Sequence, residues 1–415
     1  MIQLALLGFG TVGQGVYEII NLKRGNFFRD RQEGEVSIKK IMVRDTAKKR
    51  PIEAQPSLLT DDFEEILKDG EISIVVSAMG GLEPEYTYIK KALMAGKHVV
   101  TANKEVVAKH IDELFALARE HHVNFLFEAS VGGGIPIIAS LIETLKINRI
   151  TQIQGILNGT TNFILTKIAK EQKDFGEVLR LAQEKGFAEA DPTADIEGYD
   201  VLRKISILAS LSFKTVIKEE DVHLRGISNI TLEDVQMAQE FGYCVKYIGQ
   251  ALLEDDKYSV SVTPVLLKKD SVISNVNEEY NIVLIKGNII GELCFMGKGA
   301  GKDATANAMV SDIIKIMAGD VNYDHLSFDD DVVSYGLIGI ANEYYIRVTV
   351  DGYREFSKTI NLVSDTVKKN RLVYSRGKIF FITEKLNSID MKHLYESLKK
   401  VSSDVFYARL ENKLL

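Results

Sequence analysis

The chain has 415 residues, 46% of them hydrophobic and 26% charged, with a formal net charge of −7. That is enough apolar material for two or three buried cores, and the acidic balance leaves no electrostatic footprint for nucleic acid. No apolar run reaches the roughly 18 residues of a membrane span, and "MIQLALLGFGTVG" lacks the basic lead and small-residue cleavage site of a secretory signal. Small-molecule partners and a cytoplasmic location are expected, with no nucleic acid and no membrane. The two cysteines, Cys244 and Cys294, stand in strand-like apolar stretches and read as free buried thiols.

In chain order, the N-terminal part alternates strand and helix signals: "IQLALLG", "GQGVYEIINLK", "SIKKIMVRD", "ISIVVSAMG", "PEYTYIKKALMAGK", "HVVTAN", "HIDELFALAREHH", "NFLFEAS". That alternation predicts an α/β fold with a parallel sheet and crossover helices. The middle mixes strands ("RITQIQGILNG", "SVSVTPVLL", "NIVLIKGNIIGELCFMG") with helices ("FGEVLRLAQEKG", "DVLRKISILASLSF") and predicts an α+β lobe. From Tyr344 the order is strand, helix, strand, strand, helix, strand, after a boundary expected in "SFDDDVVS".

"LALLGFGTVGQGV" carries Gly8, Gly10 and Gly13 as G-x-G-x-x-G, with Phe9, Thr11 and Val12 between them, directly after a strand and before a helix. This spacing gives a tight turn, close backbone approach to a pyrophosphate, and close helix packing, and so predicts a nicotinamide dinucleotide at this loop. At the end of the second strand Arg44 can hold a 2′-phosphate, favouring NADP, while Asp45 keeps NAD open.

Four stretches, "EASVGGGIPII", "GILNGTTNFIL", "LAQEKGFAEADPTADIEGYDVLRK" and "GKGAGKDATANAMVSDI", resemble in order and spacing the signature segments of homoserine dehydrogenases. The resemblance implies NAD(P)H-dependent reduction of L-aspartate 4-semialdehyde to L-homoserine, on the route to threonine, isoleucine and methionine. It makes Lys204 the proton donor and Asp200 its partner, has Glu189 and Asp195 bind the substrate's amino end, and has Lys104 reach into the cleft between lobes. Gly299 and Gly301 would approach the cofactor. A structural Na+ or other monovalent cation would fall on Glu128 with the carbonyls of Val131, Gly133 and Ile135. The implied architecture is a Rossmann-type nucleotide-binding domain over 1–135, completed by about 297–340, a substrate-binding and dimerisation domain over 136–296, and an ACT-like regulatory-type domain over 341–415. A homodimer or higher homo-oligomer is expected. The tail has "VDGYREFSK" where ACT domains usually place an Asp-x-Pro-Gly turn, which speaks against regulation by threonine.

The helix starting near Asp200 bears on that reading. At 100° per residue Lys204 lies about 40° and Ile207 about −20° from Asp200, on the apolar side. Arg203, Ser206 and Ser210 form a separate arc that reads as the solvated one. An ordinary ion pair would occupy that arc, so burial of Asp200 and Lys204 points to chemistry: a lysine can stabilise a developing alkoxide and donate its proton. The alternatives are a related reductase of another aldehyde or amino acid, and a non-catalytic ligand sensor, which has no use for a buried proton donor. An acyl-transferring semialdehyde dehydrogenase needs a cysteine nucleophile, and the histidines show no zinc-site spacing.

Overall fold

The computed structural model describes residues 2–22, 36–321, 326, 328, 334–336 and 341–411, so most of the acidic boundary stretch at 327–334 lies outside the described residues. The chain forms two compact units: residues 1–150, 203–219 and 286–333, and residues 151–202, 220–285 and 334–415.

The first unit opens with β1 (Ile2–Leu7), α1 (Thr11–Tyr17), β2 (Val36–Met42), β3 (Leu59–Thr60), α2 (Phe63–Lys68), β4 (Ile72–Ser77), α3 (Glu85–Met94), β5 (His98–Thr101), α4 (Lys104–Glu120), β6 (Phe125–Leu126) and α5 (Ile137–Leu145). The sheet order is β3-β2-β1-β4-β5-β6 and every pair in it is parallel. This is the doubly wound dinucleotide-binding order, in which ligands bind beyond the carboxyl ends of the strands. Its central strands carry almost uninterrupted apolar runs, such as "IQLALL" and "ISIVVS", as a sheet covered on both faces requires.

There follow β7 (Ile150–Ile156), α6 (Gly159–Glu171), α7 (Phe175–Glu184), α8 (Thr193–Ile196), α9 (Tyr199–Phe213), β8 (Val222–Leu224), α10 (Leu232–Glu240), β9 (Tyr243–Glu254), β10 (Lys257–Lys268), β11 (Tyr280–Gly287), β12 (Gly291–Lys298) and α11 (Lys302–Ala318). Helix α11 returns to the first unit, where Ala306, Met309, Val310, Ile313 and Ile316 join Leu4, Leu6, Val16 and Ile41 in one core. The return is fastened by a buried cluster. Glu128 N donates to Asp312 Oδ2 at 2.9 Å, and Lys315 lies 3.1 Å from Asp312 and 3.5 Å from Glu128. Burial pushes the Asp312 carboxyl up to about 7, against the pull of Lys315.

The last elements are β13 (Ser334–Tyr335), β14 (Tyr344–Thr349), α12 (Gly352–Val363), β15 (Val367–Ser375), β16 (Lys378–Thr383), α13 (Ser388–Lys399) and β17 (Val405–Glu411). The tail's order, β17-β14-β16-β15, is that of a βαββαβ split sheet, with Ile346, Val348, Val363, Ile379, Phe381 and Leu398 in its core. Within the second unit it is continuous with the sheet β11-β7-β9-β10. One edge of β10 pairs along its length with β9; the other is completed in turn by β13, β8 and β17. A side-chain network reinforces this seam: the buried Arg347 of β14 pairs with the buried Asp234 of α10 and reaches Asp404 at 2.8 Å, and Tyr345 Oη donates to Asp234 at 2.8 Å.

Two expectations need correction. Cys294 is exposed and Cys244 half-buried, because β12 turns alternate residues to solvent. On α9, Ser206 and Ser210 are buried as fully as the apolar residues, so their arc is not a solvated face; serine is small enough to pack there, and Ser210 Oγ accepts from Ile217 N at 3.0 Å.

Two measurements check this account. Removing Asp234 leaves the Arg347 charge buried, so Asp234→Ala should cost about 3–5 kcal/mol, whereas Asp404→Ala, at a half-exposed carboxylate, should cost less than about 1 kcal/mol; equal shifts in the denaturation midpoint would contradict the network. Because the Asp312 pKa is raised on folding, its contribution is full below the unfolded value near 3.8 and is lost as pH rises through about 7. Unfolding followed from acidic to neutral pH should show this loss, and Asp312→Asn should remove it.

Candidate active site

The loop after β1 is shaped by crowding on two sides and by room on the third. Gly8 takes φ +89° with its N–H on Met42 O, and a Cβ there would stand 2.7 Å from Ala78 O. At Gly13 a Cβ would lie 2.1 Å from Gly8 O. A side chain at Gly8 would push the ends of β1 and β4 apart, and one at Gly13 would push α1 off the loop. At Gly10 a Cβ would meet nothing within 4 Å, so packing within the chain does not account for glycine there. Phe9 turns its ring into the core, edge-on to Tyr17 at 5.4 Å, whereas Thr11 is exposed and Val12 half-buried. Helix α1 also lies close to α11: a Cβ at Gly15 would be 2.9 Å from Ala306 Cβ.

Beside this loop, Arg44 is exposed just past β2. Asp45 Oδ1 accepts from Ala47 N at 2.9 Å, and Arg50 donates to Asp45 O and Lys48 O, both at 2.8 Å. The carboxylate of Asp45 and the guanidinium of Arg50 thus hold the turn.

Lys104 is the first residue of α4. Its neighbour Asn103 caps the helix, accepting from Glu105 N and Val106 N at 3.0 and 3.2 Å. The Asn103 amide in turn donates to Gly81 O and to Glu85 Oε2, each at 2.7 Å, and Glu85 Oε1 accepts from Ser77 Oγ and Thr101 Oγ1 at 2.7 and 3.0 Å. Glu85 is fully buried; desolvation raises its pKa, and the three hydrogen bonds pull the other way. One carboxyl group therefore ties the carboxyl ends of β4 and β5 to the start of α4. Glu105, next to Lys104, accepts from Arg203 Nη2 at 3.0 Å.

The pair that the sequence placed on α9 is buried, Asp200 at 5% and Lys204 at 8% exposure, and both residues make interactions. Asn158, at the end of β7, caps α6 through Thr161 N at 2.8 Å. Its amide donates to Asp195 Oδ1 at 2.7 Å and to Asp200 Oδ2 at 2.8 Å, so one asparagine brings two carboxylates together. Glu189 stands exposed, its carbonyl accepting from Gln183 at 3.1 Å. Asn158, Asn103 and Glu85 were not singled out in the sequence. The first two precede helices and so carry a capping signal; Glu85, inside "LEPEYTYIK", carries none.

The turn at 131–135 uses left-handed Gly132 and Gly133 and meets the segment 298–301 backbone to backbone: Gly134 N donates to Lys298 O at 3.0 Å, and a Cβ on Gly133 would lie 2.5 Å from Gly299. Gly301, at φ +116°, opens α11. Glu128 caps α5, accepting from Ile138 N and Ala139 N, each at 2.8 Å. Among the described residues no group of three or more His, Cys, Asp and Glu side chains is placed to hold a metal ion.

Comparison with known proteins bears on this arrangement. A family model of the homoserine dehydrogenase NAD-binding domain matches residues 8–128, and that of homoserine dehydrogenase matches residues 136–314. The chain is 45% identical over 317 residues to the homoserine dehydrogenase of Bacillus subtilis, which covers 76% of this chain and 73% of that protein. It superposes on a homoserine dehydrogenase from Thiobacillus denitrificans with a TM-score of 0.87 at 34% identity, covering 99% and 98% of the two chains. On a hyperthermophilic archaeal homoserine dehydrogenase in complex with NADPH, the TM-score is 0.65 at 28% identity over 77% of this chain and 99% of that one. The chain belongs to the homoserine dehydrogenase family and is an oxidoreductase with a nicotinamide-binding domain.

Proposed function

We propose that this homoserine dehydrogenase reduces L-aspartate 4-semialdehyde with NADPH in preference to NADH, with Lys204 as proton donor. The observation that carries the mechanism is the burial of Lys204 and Asp200 four residues apart on α9. A bound dihydronicotinamide supplies the hydride. The loop of Gly8, Gly10 and Gly13 leaves room for its pyrophosphate, with the backbone of Phe9, Thr11 and Val12 beside it and Gly299 and Gly301 approaching from the returning segment.

As hydride reaches the aldehyde carbon, the carbonyl oxygen gains charge; the Lys204 ammonium stabilises it and then donates its proton. Asp200 holds that lysine charged and oriented, and is itself fixed by Asn158. Asp195, on the same amide, and Glu189 bind the substrate ammonium. Lys104 is presented by the Asn103 and Glu85 anchor and serves cofactor and substrate as a second cation. Arg44 selects the 2′-phosphate, because its planar fork suits phosphate while the alternative acid, Asp45, is engaged in its own turn.

A cation on Glu128 with the carbonyls of Val131, Gly133 and Ile135 fits poorly. Both carboxylate oxygens already accept N–H groups, Lys315 brings a positive charge to 3.5 Å, and Ile135 O accepts from Ile137 N. No step runs through such an ion. Among the described residues no helix is long and apolar enough to cross a membrane, in keeping with a cytoplasmic enzyme of threonine, isoleucine and methionine synthesis. The proposed division of labour is nucleotide binding by 1–135 with about 297–340, substrate binding and homodimerisation by 136–296, and an ACT-like module over 341–415. Its strand order supports the last assignment, although α12 opens at Gly352 without a Pro-Gly turn.

Lys204→Ala should lower kcat by roughly 10²–10⁴, the scale of a lost general acid, while fold and NADPH affinity persist. In the wild type, homoserine oxidation should accelerate towards alkaline pH, where the lysine can accept a proton. A folded variant within threefold of the parent rate would refute the mechanism and leave the Asp200 and Lys204 pair a structural one. Arg44→Ala should raise KM for NADPH by about tenfold and leave KM for NADH nearly unchanged; equal losses for both cofactors would remove Arg44 as the discriminator.

A further inference from the structure

The second unit holds a cavity of about 780 Å³ that none of the assigned catalytic residues lines, within the roughly 300–1,000 Å³ usual for small-molecule sites. Its cationic side chains are Arg225, following β8, Arg409 on β17 and Lys392 on α13; the imidazoles of His223 and His393 also line it, and Glu396 is the one carboxylate among the lining residues. In a chain of net charge −7 this is a local reversal of sign. Cations gathered around a void repel one another, an arrangement that an anion would stabilise.

The guanidiniums are held in place. Arg225 lies 3.6 Å above the Tyr407 ring, which fixes its plane. Arg409 donates to Gln250 Oε1 at 2.7 Å and pairs with Glu411 at 3.1 Å. Burial and the two guanidiniums hold His223 below the usual imidazole range, so near neutral pH it adds a hydrogen-bonding group and no further charge. Fixed planar guanidiniums recognise carboxylate and phosphate oxygens in pairs.

We propose that this cavity binds a small organic dianion, a dicarboxylate or a phosphate monoester, through Arg225, Arg409 and Lys392. It draws on both the middle sheet and the tail, so such a ligand would join the two across the seam that β10 and β17 already form.

The test is calorimetric titration of the full chain, saturated with NADPH so that the dinucleotide loop is closed to anions, with succinate and with inorganic phosphate at constant ionic strength set by chloride. The expected result is saturable binding of at least one probe at one site per chain, weakened tenfold or more by Arg225→Gln. Lys392→Gln, on an exposed helix position, should weaken it as well and decides the matter if Arg225→Gln fails to fold. Binding of phosphate alone assigns the site to phosphate esters, and binding of succinate alone to dicarboxylates. No saturable binding of either probe, or binding unchanged in the folded variants, would overturn the proposal.

Discussion

A charge removed from water must be answered by a partner within a few ångströms, and this requirement organises the molecule. Desolvating an ion costs several kcal/mol, yet Asp200, Lys204, Glu85, Glu128, Asp312, Asp234, Lys246 and Arg347 are all buried. Most stand where separate segments must be held together. Glu85 gathers two strand ends and a helix cap, Asp312 and Lys315 fasten the returning helix to Glu128, and Asp234 and Arg347 join the tail to α10. Helix α9 shows the demand most clearly, because its flanking positions are buried nearly all round and leave solvent no access to relieve a lone charge.

Where charge does not decide, close backbone approach does. The glycine loop after β1 closes because Gly13 lets α1 rise against Gly8, while Gly10 leaves unfilled space. The same device recurs where Gly133 meets Gly299, and at Gly155, where a Cβ would stand 2.0 Å from Ile282 O. At Gly10 the space stays open; at the other positions glycine keeps room for the chain itself.

Much of this was legible in the sequence. Apolar runs separated by helical periods predicted the parallel sheet, G-x-G-x-x-G after a strand predicted the loop, and a buried pair on α9 followed from counting residues around a helix. What could not be read depends on contacts between distant segments. Lys246 in "YCVKYIG" looks like an exposed strand residue, yet its ammonium is buried on Val276 O, Asn162 and Asn277, and burial pushes its pKa down to about 8. Glu85 carries no local signature because its three partners come from the ends of two strands and a helix cap. Ser206 and Ser210 misled because the helical period gives direction around an axis, not what lies in that direction.

The tail shows how such contacts bear on function. By sequence it is a separate module, and a module on a linker could move independently. In the structure β17 fills the edge of β10 at Val265, Leu266 and Leu267, and Arg347 supplies the charge that Asp234 needs inside the middle lobe. Detaching the tail would expose backbone donors and acceptors and leave an acid buried without its cation, two costs that arise together. A ligand acting through this segment would therefore have to work by altering packing at an existing seam, not by releasing a hinged domain.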